Sequence, residues 1–370
     1  MERRQFLKLS MIMGGTIVLG GIHRFGGSLA SAAGMAIPTV DQLIMTNVVD
    51  NIYDVFAKRG KIGDVTVQRA VPLPMPLSEH GLAYHLASIR GNERKEILLD
   101  FAWTGQSLTN NYQVLKIDPT KADALIISHG HADHYGALLD LGRALQGLRS
   151  PGLTLYAGGE DTFCHRWTLM PDGQRSDLGQ LQRAELEAQG VKVMLAKEPT
   201  VVAGHAITSG QIPRLIDFEK PLASARLEVE PLGSGCEASL HFSPGTLQVE
   251  AKPGELVADT FSGEHATAYH VKNRGLVIIS SCGHAGIINS IRQIQKATGI
   301  EKVHAVIGGW HLAPASDEIV AKTVKAYKQL DTDYLIPMHC TGFKTMMAMQ
   351  QEMPAKLIMP STGTRVMFGA

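Results

Sequence analysis

Apolar residues gather in short runs along this chain, several of them continuous rather than alternating, with glycine, proline and polar turns between them. Continuous runs of this length predict strands buried on both faces. The stretch 46–56 predicts a strand and its exit, 82–90 and 96–102 predict two strands about the turn Gly91-Asn92, and 123–128 predicts a further strand. The repeated prolines of 71–81 predict a loop, because each removes a backbone donor. The polar stretch 103–111 predicts another loop, leading to a short helix at 112–117. Helical spacing follows at 135–145 and again at 178–190, where Gly190 stops it. From 276 onward the chain alternates: strand 276–281, helix 286–298, strand 303–308, helix 316–330, strand 334–338. Strands first and alternation later predict an α/β layered sandwich. No linker or internal repeat divides 34–370, so one domain is expected there, with a mixed insertion around 215–260.

Composition narrows the field. The 370 residues carry 35 basic and 35 acidic side chains, a net charge of zero with no long single-sign run, which argues against a nucleic-acid partner. Four cysteines without a CxxC pair do not make a disulfide scaffold. The N-terminus has the three-part grammar of an export signal: basic Arg3-Arg4, apolar 11–21, and small residues with a candidate cleavage site at Ala30-Ser31-Ala32. Its apolar part is shorter than the roughly 20 residues a membrane span needs. RRQFLK resembles a twin-arginine signal, although Glu2 departs from the usual Ser or Thr. Residues 1–33 are therefore expected to direct the protein through twin-arginine export machinery to the periplasm or another exported location. No stable membrane partner is expected after cleavage. Outside the cytoplasm a disulfide becomes feasible, most easily between Cys164 and Cys236.

Fifteen histidines are the compositional oddity, and their positions follow a rule. Strand 123–128 runs into His129; strand 276–281 is followed by His284, strand 303–308 by His311, and strand 334–338 by His339. Loops at the carboxyl ends of such strands carry chemistry on a rigid base. One histidine after a strand is an ordinary loop residue; four in register, one of them within His129-Gly130-His131-Ala132-Asp133-His134, point to a shared metal site. In an extended loop His129 and His131 project the same way and reach one ion, while Asp133 and His134, beyond the bend, face a second. Imidazole and carboxylate suit zinc, and iron or manganese can use the same ligands.

HGHADH matches the HxHxDH signature of the metallo-β-lactamase superfamily, and 97–107 resembles its strand-Asp-Gly element, with Asp100 in the buried supporting position. The resemblance implies an α/β four-layer αβ/βα sandwich with a one- or two-metal site at the sheet edges. The segments 79–82, 128–138, 209–214, 282–287, 308–312 and 339–342 resemble more narrowly the branch of dihydropterin ribofuranosyl-aminobenzene phosphate synthase-like hydrolases. Two departures stand out: His205 offers only a loose version of the third motif, and Ser281-Cys282-Gly283-His284 has no acid where a bridging aspartate is usual. The resemblance implies two divalent ions, zinc first: one held by His129, His131 and His284, the other by Asp133, His134 and His339, with His205 in reserve. Cys282 and Cys340 flank these ligands and read as small buried fillers more readily than as donors.

Such a pair of ions implies a bridging hydroxide as nucleophile at neutral pH, oriented by Asp133, with His311 as proton donor and substrate-facing group. Arg214 is the candidate clamp for a phosphate or carboxylate. The expected activity is hydrolysis of a small-molecule ester, lactone or phosphoester. The alternatives are the synthase-type transfer named by the branch, whose cytoplasmic substrates an exported protein would meet poorly, an iron-dependent oxidoreductase in the same ligands, and a metal-binding protein without catalysis.

Overall fold

The computed structural model describes residues 35–69, 73–144, 153–219, 226–233, 235–236 and 252–369, so the expected signal at 1–33 lies outside the described residues. Gly34–Ala370 form one compact unit.

Two large sheets face each other. The nine-stranded sheet is centred on Glu93–Leu99, Ala83–Arg90 and Gln42–Val49, with Ala124–Ile127 joining Glu93–Leu99 in parallel. The seven-stranded sheet runs Gly275–Ser280, Val303–Gly308, Tyr334–Pro337 in parallel, with Thr267–Val271 antiparallel to the first of them. The space between the sheets is filled by Leu43, Met45, Leu86 and Ile97 from one and Val277, Ile279, Ile307 and Ile336 from the other. Alternate residues point outward: Leu276, Ile278, Val306 and Leu335 pack under helices Ile287–Thr298 and Asp317–Leu330, while Leu98, Leu125 and Ile127 meet the helices of the opposite face. Both faces of these strands are dry, which is why their sequences read as unbroken apolar runs. Each such side chain contributes about 1.5–3 kcal/mol. Helix, sheet, sheet and helix make the four layers expected for the metallo-β-lactamase sandwich.

The connections set the rim. Glu93–Leu99 and Ala124–Ile127 run together, and Gln42–Val49 runs with them because both it and Glu93–Leu99 are antiparallel to Ala83–Arg90. The loops leaving these strands, and those leaving Gly275–Ser280, Val303–Gly308 and Tyr334–Pro337, emerge where Asp50, Asp100, His129, His284, His311 and His339 sit.

Several expected boundaries are corrected. The polar stretch 103–111 is the body of a helix, Gly105–Val114, not a loop: the Thr104 hydroxyl caps it by accepting from the Ser107 N–H. Its polarity serves packing, since Asn111 is buried and donates to the carbonyls of Val48 and Leu77 at 2.8 Å. The helix expected at 178–190 shrinks to Arg183–Ala188, and Arg175–Gly179 instead pairs as a strand with His165–Leu169. That hairpin, Leu227–Glu230 and Val257–Ala258 form a separate four-stranded sheet, so the strands beside the metal rim come from 165–179 as well as from 215–260. Cys164 and Cys236 are disulfide-bonded there, with Cα atoms 4.8 Å apart. Helix Phe343–Glu352 and the final strand Thr364–Phe368, the latter inserted between Gln42–Val49 and Val65–Arg69, carried no clear signal in the sequence pattern.

Candidate metal centre

The site begins where Ile127 hands the chain to Ser128-His129-Gly130-His131. A Cβ on Gly130 would lie 2.3 Å from the Thr162 carbonyl oxygen, so the position between the two histidines admits no side chain. His131 then caps the single helical turn Ala132–Tyr135 in extended conformation, and that turn carries Asp133 and His134. The ring centres of His129 lie 4.4 Å from His131, 4.3 Å from His134 and 4.9 Å from His284. His339 follows at 5.0 Å from His134. Among the described residues four groups of donor atoms have their members within 4.8 Å of one another: two clusters that share no residue, His129, His131 and His284 in one and His80, Asp133 and His339 in the other, and two groups through Cys282, one with His129 and His134 and one with His311 and Cys340. The Asp133 Oδ2 atom stands 3.3 Å from His339 Nε2, 3.6 Å from His80 Nε2 and 3.7 Å from His134 Nε2.

Behind the imidazoles of His129, His131, His134 and His339 stand partners that fix their orientation. Asp100, fully buried and with a left-handed φ of 59°, accepts at 2.8 Å from the Ser128 N–H, the Ser128 hydroxyl and His134 Nδ1. His129 Nδ1 lies 3.0 Å from the Ser128 hydroxyl and His339 Nδ1 lies 3.1 Å from Asn51 Oδ1. His131 turns Nε2 toward Asp259 at 3.4 Å, and Asp259 is itself held by Arg166 at 2.6 Å. The backbone of His284 donates to Glu264 Oε1 at 2.9 Å. With their Nδ1 atoms engaged, His129, His134 and His339 leave Nε2 buried without a hydrogen-bond partner, as His284 also does. Buried polar atoms are almost always satisfied. Four such orphans at one rim, two of them beside a carboxylate, fit nitrogen- and oxygen-bound divalent cations, with the second set of partners that metal-ligating histidines use.

Charge tells the same story. Burial, then the neighbouring histidines, push His129 and His284 well below the ordinary imidazole range, which keeps them neutral as ligation requires. Burial pulls His134 down too, but the carboxylates of Asp133 and Asp100 override it and lift it to about 9. Burial would raise Asp133, yet His134 and His339 hold it far below the usual carboxylate range. The second cluster thus calls for positive charge, which a cation supplies as well as a proton does.

The structure brings together all six expected ligands, His129, His131, Asp133, His134, His284 and His339, and adds His80, whose side chain is 63% exposed at the mouth. His80 follows the proline-rich loop rather than a strand, so the strand-end rule could not find it; Glu79 anchors that loop by accepting from the N–H groups of Trp103 and Thr104 at 2.9 Å. Asn51 and Asp259 also escaped the sequence reading, having no motif of their own. The His311 ring lies 4.1 Å from that of His284, tilted 45° to it, and lines three cavities about the site. Arg214 is buried, donates to the carbonyls of His284 at 2.9 Å and of Thr260, and lines none of those cavities. Its placement is that of a brace for the His284 loop, not of an anion clamp in the cleft. His205 is buried elsewhere, against Ser88 at 2.9 Å and Glu93 at 3.3 Å, near the turn between strands Ala83–Arg90 and Glu93–Leu99. Cys282 and Cys340, both buried and free, approach to 3.1 Å between their sulfurs.

Known proteins resemble this chain in sequence and in fold. The sequence model of the Metallo-beta-lactamase superfamily matches residues 89–147. A protein of Methanocaldococcus jannaschii named 7,8-dihydropterin-6-methyl-4-(beta-D-ribofuranosyl)-aminobenzene-5'-phosphate synthase is 28% identical over 270 residues, 72% of this chain and 82% of its own length. An uncharacterised protein of the same organism is 25% identical over 264 residues, 70% of this chain and 83% of its own. A solved structure described as a metal-dependent hydrolase of the beta-lactamase superfamily superposes with a TM-score of 0.62 at 20% identity, covering 87% of this chain and 98% of that one. Together these support the metallo-β-lactamase superfamily, and the fold of the chain is the metallo-β-lactamase fold.

Proposed function

We propose that this enzyme is an exported, metal-dependent hydrolase that cleaves a small ester or lactone, with phosphoesters the next class, at a dinuclear centre. The observation that carries the reading is the gathering at one rim of four buried imidazole Nε2 atoms without hydrogen-bond partners, those of His129, His134, His284 and His339, with the Asp133 carboxylate beside two of them. His129, His284 and His131, the last through Nδ1 because Nε2 is engaged by Asp259, hold one ion; Asp133, His134 and His339, with His80 at the rim, hold the other. When bound, a pair of divalent ions lowers the pKa of water toward about 7 and polarises the scissile bond.

The chain's own groups do the rest. Asp133 reaches both clusters of imidazoles and orients the attacking oxygen. His311, at the junction of the cavities, donates the proton to the leaving group. Burial pulls its imidazole down, but the Cys340 sulfur and the carboxylates of Glu264 and Asp133 outweigh this, so it holds a proton more readily than usual. Substrate lies across a small cavity of about 180 Å³ at the ligands, flanked by cavities of about 310 and 520 Å³. Among the described residues that line them there is no lysine or arginine, while Phe218, Phe261, Trp310, Phe343 and Met346 give apolar walls. Apolar walls favour neutral esters and lactones, because a phosphate would find no cationic side chain. For the same reason we rank below hydrolysis the synthase-type transfer suggested by the name of the M. jannaschii relative. An export address is supported by the N-terminal sequence and by the Cys164–Cys236 bond, which persists in oxidising compartments.

The test is metal content of the exported protein together with turnover on esters, lactones and phosphodiesters. His134→Ala should lose one ion and most turnover. Full metal stoichiometry in that variant, or a metal-loaded enzyme inert across the panel, would overturn the proposal. Tightly bound iron with activity that requires oxygen would move the reading to an oxidoreductase.

A further inference from the structure

We infer that Cys282 is a ligand shared by both ions, a thiolate lying between the two clusters of imidazoles. The inference rests on the dinuclear reading above and assigns a donor that reading leaves out.

The geometry is specific. Donor atoms of Cys282, His129 and His134 all lie within 4.8 Å of one another, and the reading above gives His129 to one ion and His134 to the other. A sulfur and a nitrogen on one zinc ion cannot stand more than roughly 4.4 Å apart, the sum of bonds of about 2.3 and 2.1 Å. The three donor atoms therefore stand inside that limit or within a few tenths of an ångström of it, toward His129 as toward His134. Cys282 is buried, and its backbone is fixed by Gly283, whose φ of 72° and close approach to Trp310 leave the loop little latitude.

Charge supplies the reason. Two dications facing neutral imidazoles and the single Asp133 carboxylate would carry most of their charge uncompensated in a buried site, which is costly. A thiolate between them supplies the missing anion. Coordination deprotonates the thiol outright: the S–H bond breaks, the proton leaves to solvent, sulfur–metal bonds form, and no electron changes hands. Cys340 is placed differently. Its sulfur accepts the His311 N–H at 3.2 Å, lies 3.3 Å from the Cys282 carbonyl oxygen, and groups with His311 rather than with His129 and His134. It stands beside Cys282, with 3.1 Å between the sulfurs, as a polarisable neighbour.

X-ray absorption on the full exported protein loaded with two equivalents of zinc tests this without any variant. A sulfur scatterer at about 2.3 Å is expected beside the nitrogen and oxygen shell. Titration of the metal-free protein with cobalt should raise a sulfur-to-cobalt charge-transfer band with the first equivalent and again with the second. Cys282→Ser should abolish the band and Cys340→Ser should keep it. Three results would overturn the inference: two bound ions with only nitrogen and oxygen neighbours, a band complete at one equivalent, or a band lost with Cys340→Ser and kept with Cys282→Ser. A chain that binds no stoichiometric metal would defeat the dinuclear reading itself, whereas two ions without sulfur would defeat only the shared thiolate.

Discussion

Asp100→Asn isolates one physical link, the tautomer of a buried histidine. Asparagine fits the site sterically and tolerates the left-handed backbone at φ 59° as well as aspartate does. The three hydrogen bonds at 2.8 Å then determine its orientation. The Ser128 N–H can only donate, so the amide oxygen must occupy the Oδ1 position, and the NH2 group takes the place of Oδ2. There it faces the Ser128 hydroxyl and His134 Nδ1, both of which must now accept. His134 is forced to carry its proton on Nε2, the atom it would use for metal, and ligation through that nitrogen is blocked. Loss of such a supporting partner costs about 10–100-fold in metal affinity, or about 1.4–2.8 kcal/mol. The expected outcome is that Asp100→Asn holds one ion normally and the second at least tenfold more weakly. The assay is competition with a chromophoric chelator for stepwise zinc release, with circular dichroism to verify the fold. Asp100→Asn combined with His134→Ala should be no worse than His134→Ala alone, because both act through the same nitrogen. Wild-type affinity for both ions, or additive losses in the double variant, would refute the argument.

Further outcomes follow from other contacts. His80 is exposed while its partners are buried, so His80→Ala should weaken the second ion by only about tenfold, roughly 1.4 kcal/mol, against its loss in His339→Ala; equal losses by calorimetric titration would show that His80 is no peripheral ligand. Thiol titration of the denatured mature protein should find two thiols before reduction and four after, since Cys282 and Cys340 are free. Closing 72 residues of chain, that bond contributes about 4 kcal/mol in the chain-entropy picture, so Cys164→Ser should lower the melting temperature markedly. Burial pushes the carboxyl of Glu219 up to about 7, against the N–H groups of Ile288 and Asn289 that bond it at 2.8 Å. A carboxyl that binds its proton more tightly when folded stabilises below its ordinary value of 4.5 and loses that contribution as pH rises through about 7. Glu219→Gln should therefore flatten the fall in melting temperature between those limits, and an unchanged slope would contradict the shift.

What could be read directly from the sequence was whatever is local. The run 123–128 followed at once by HGHADH specifies a buried strand, an extended turn and a helical start, so the relative placement of His129, His131, Asp133 and His134 follows from backbone period alone. The alternation after 276 likewise predicted three strands and two helices to within a residue or two, because propensity, pattern and caps such as Ser316 agree there. Where local signals disagreed with packing, packing won: the polar stretch 103–111 became a helix because Thr104 caps it and buried Asn111 finds carbonyls contributed by a distant strand and a distant loop. Contacts between residues far apart in the chain, from 58 to 288 positions, were decided only in three dimensions. Asp259 behind His131, Asn51 behind His339, Arg214 under His284 and the two cysteine sulfurs side by side all depend on how the sheets stack. A side chain's type announces what it can bond, but its partner is fixed by which loops the two sheets deliver to the same rim, and no window of sequence contains both ends of that bond.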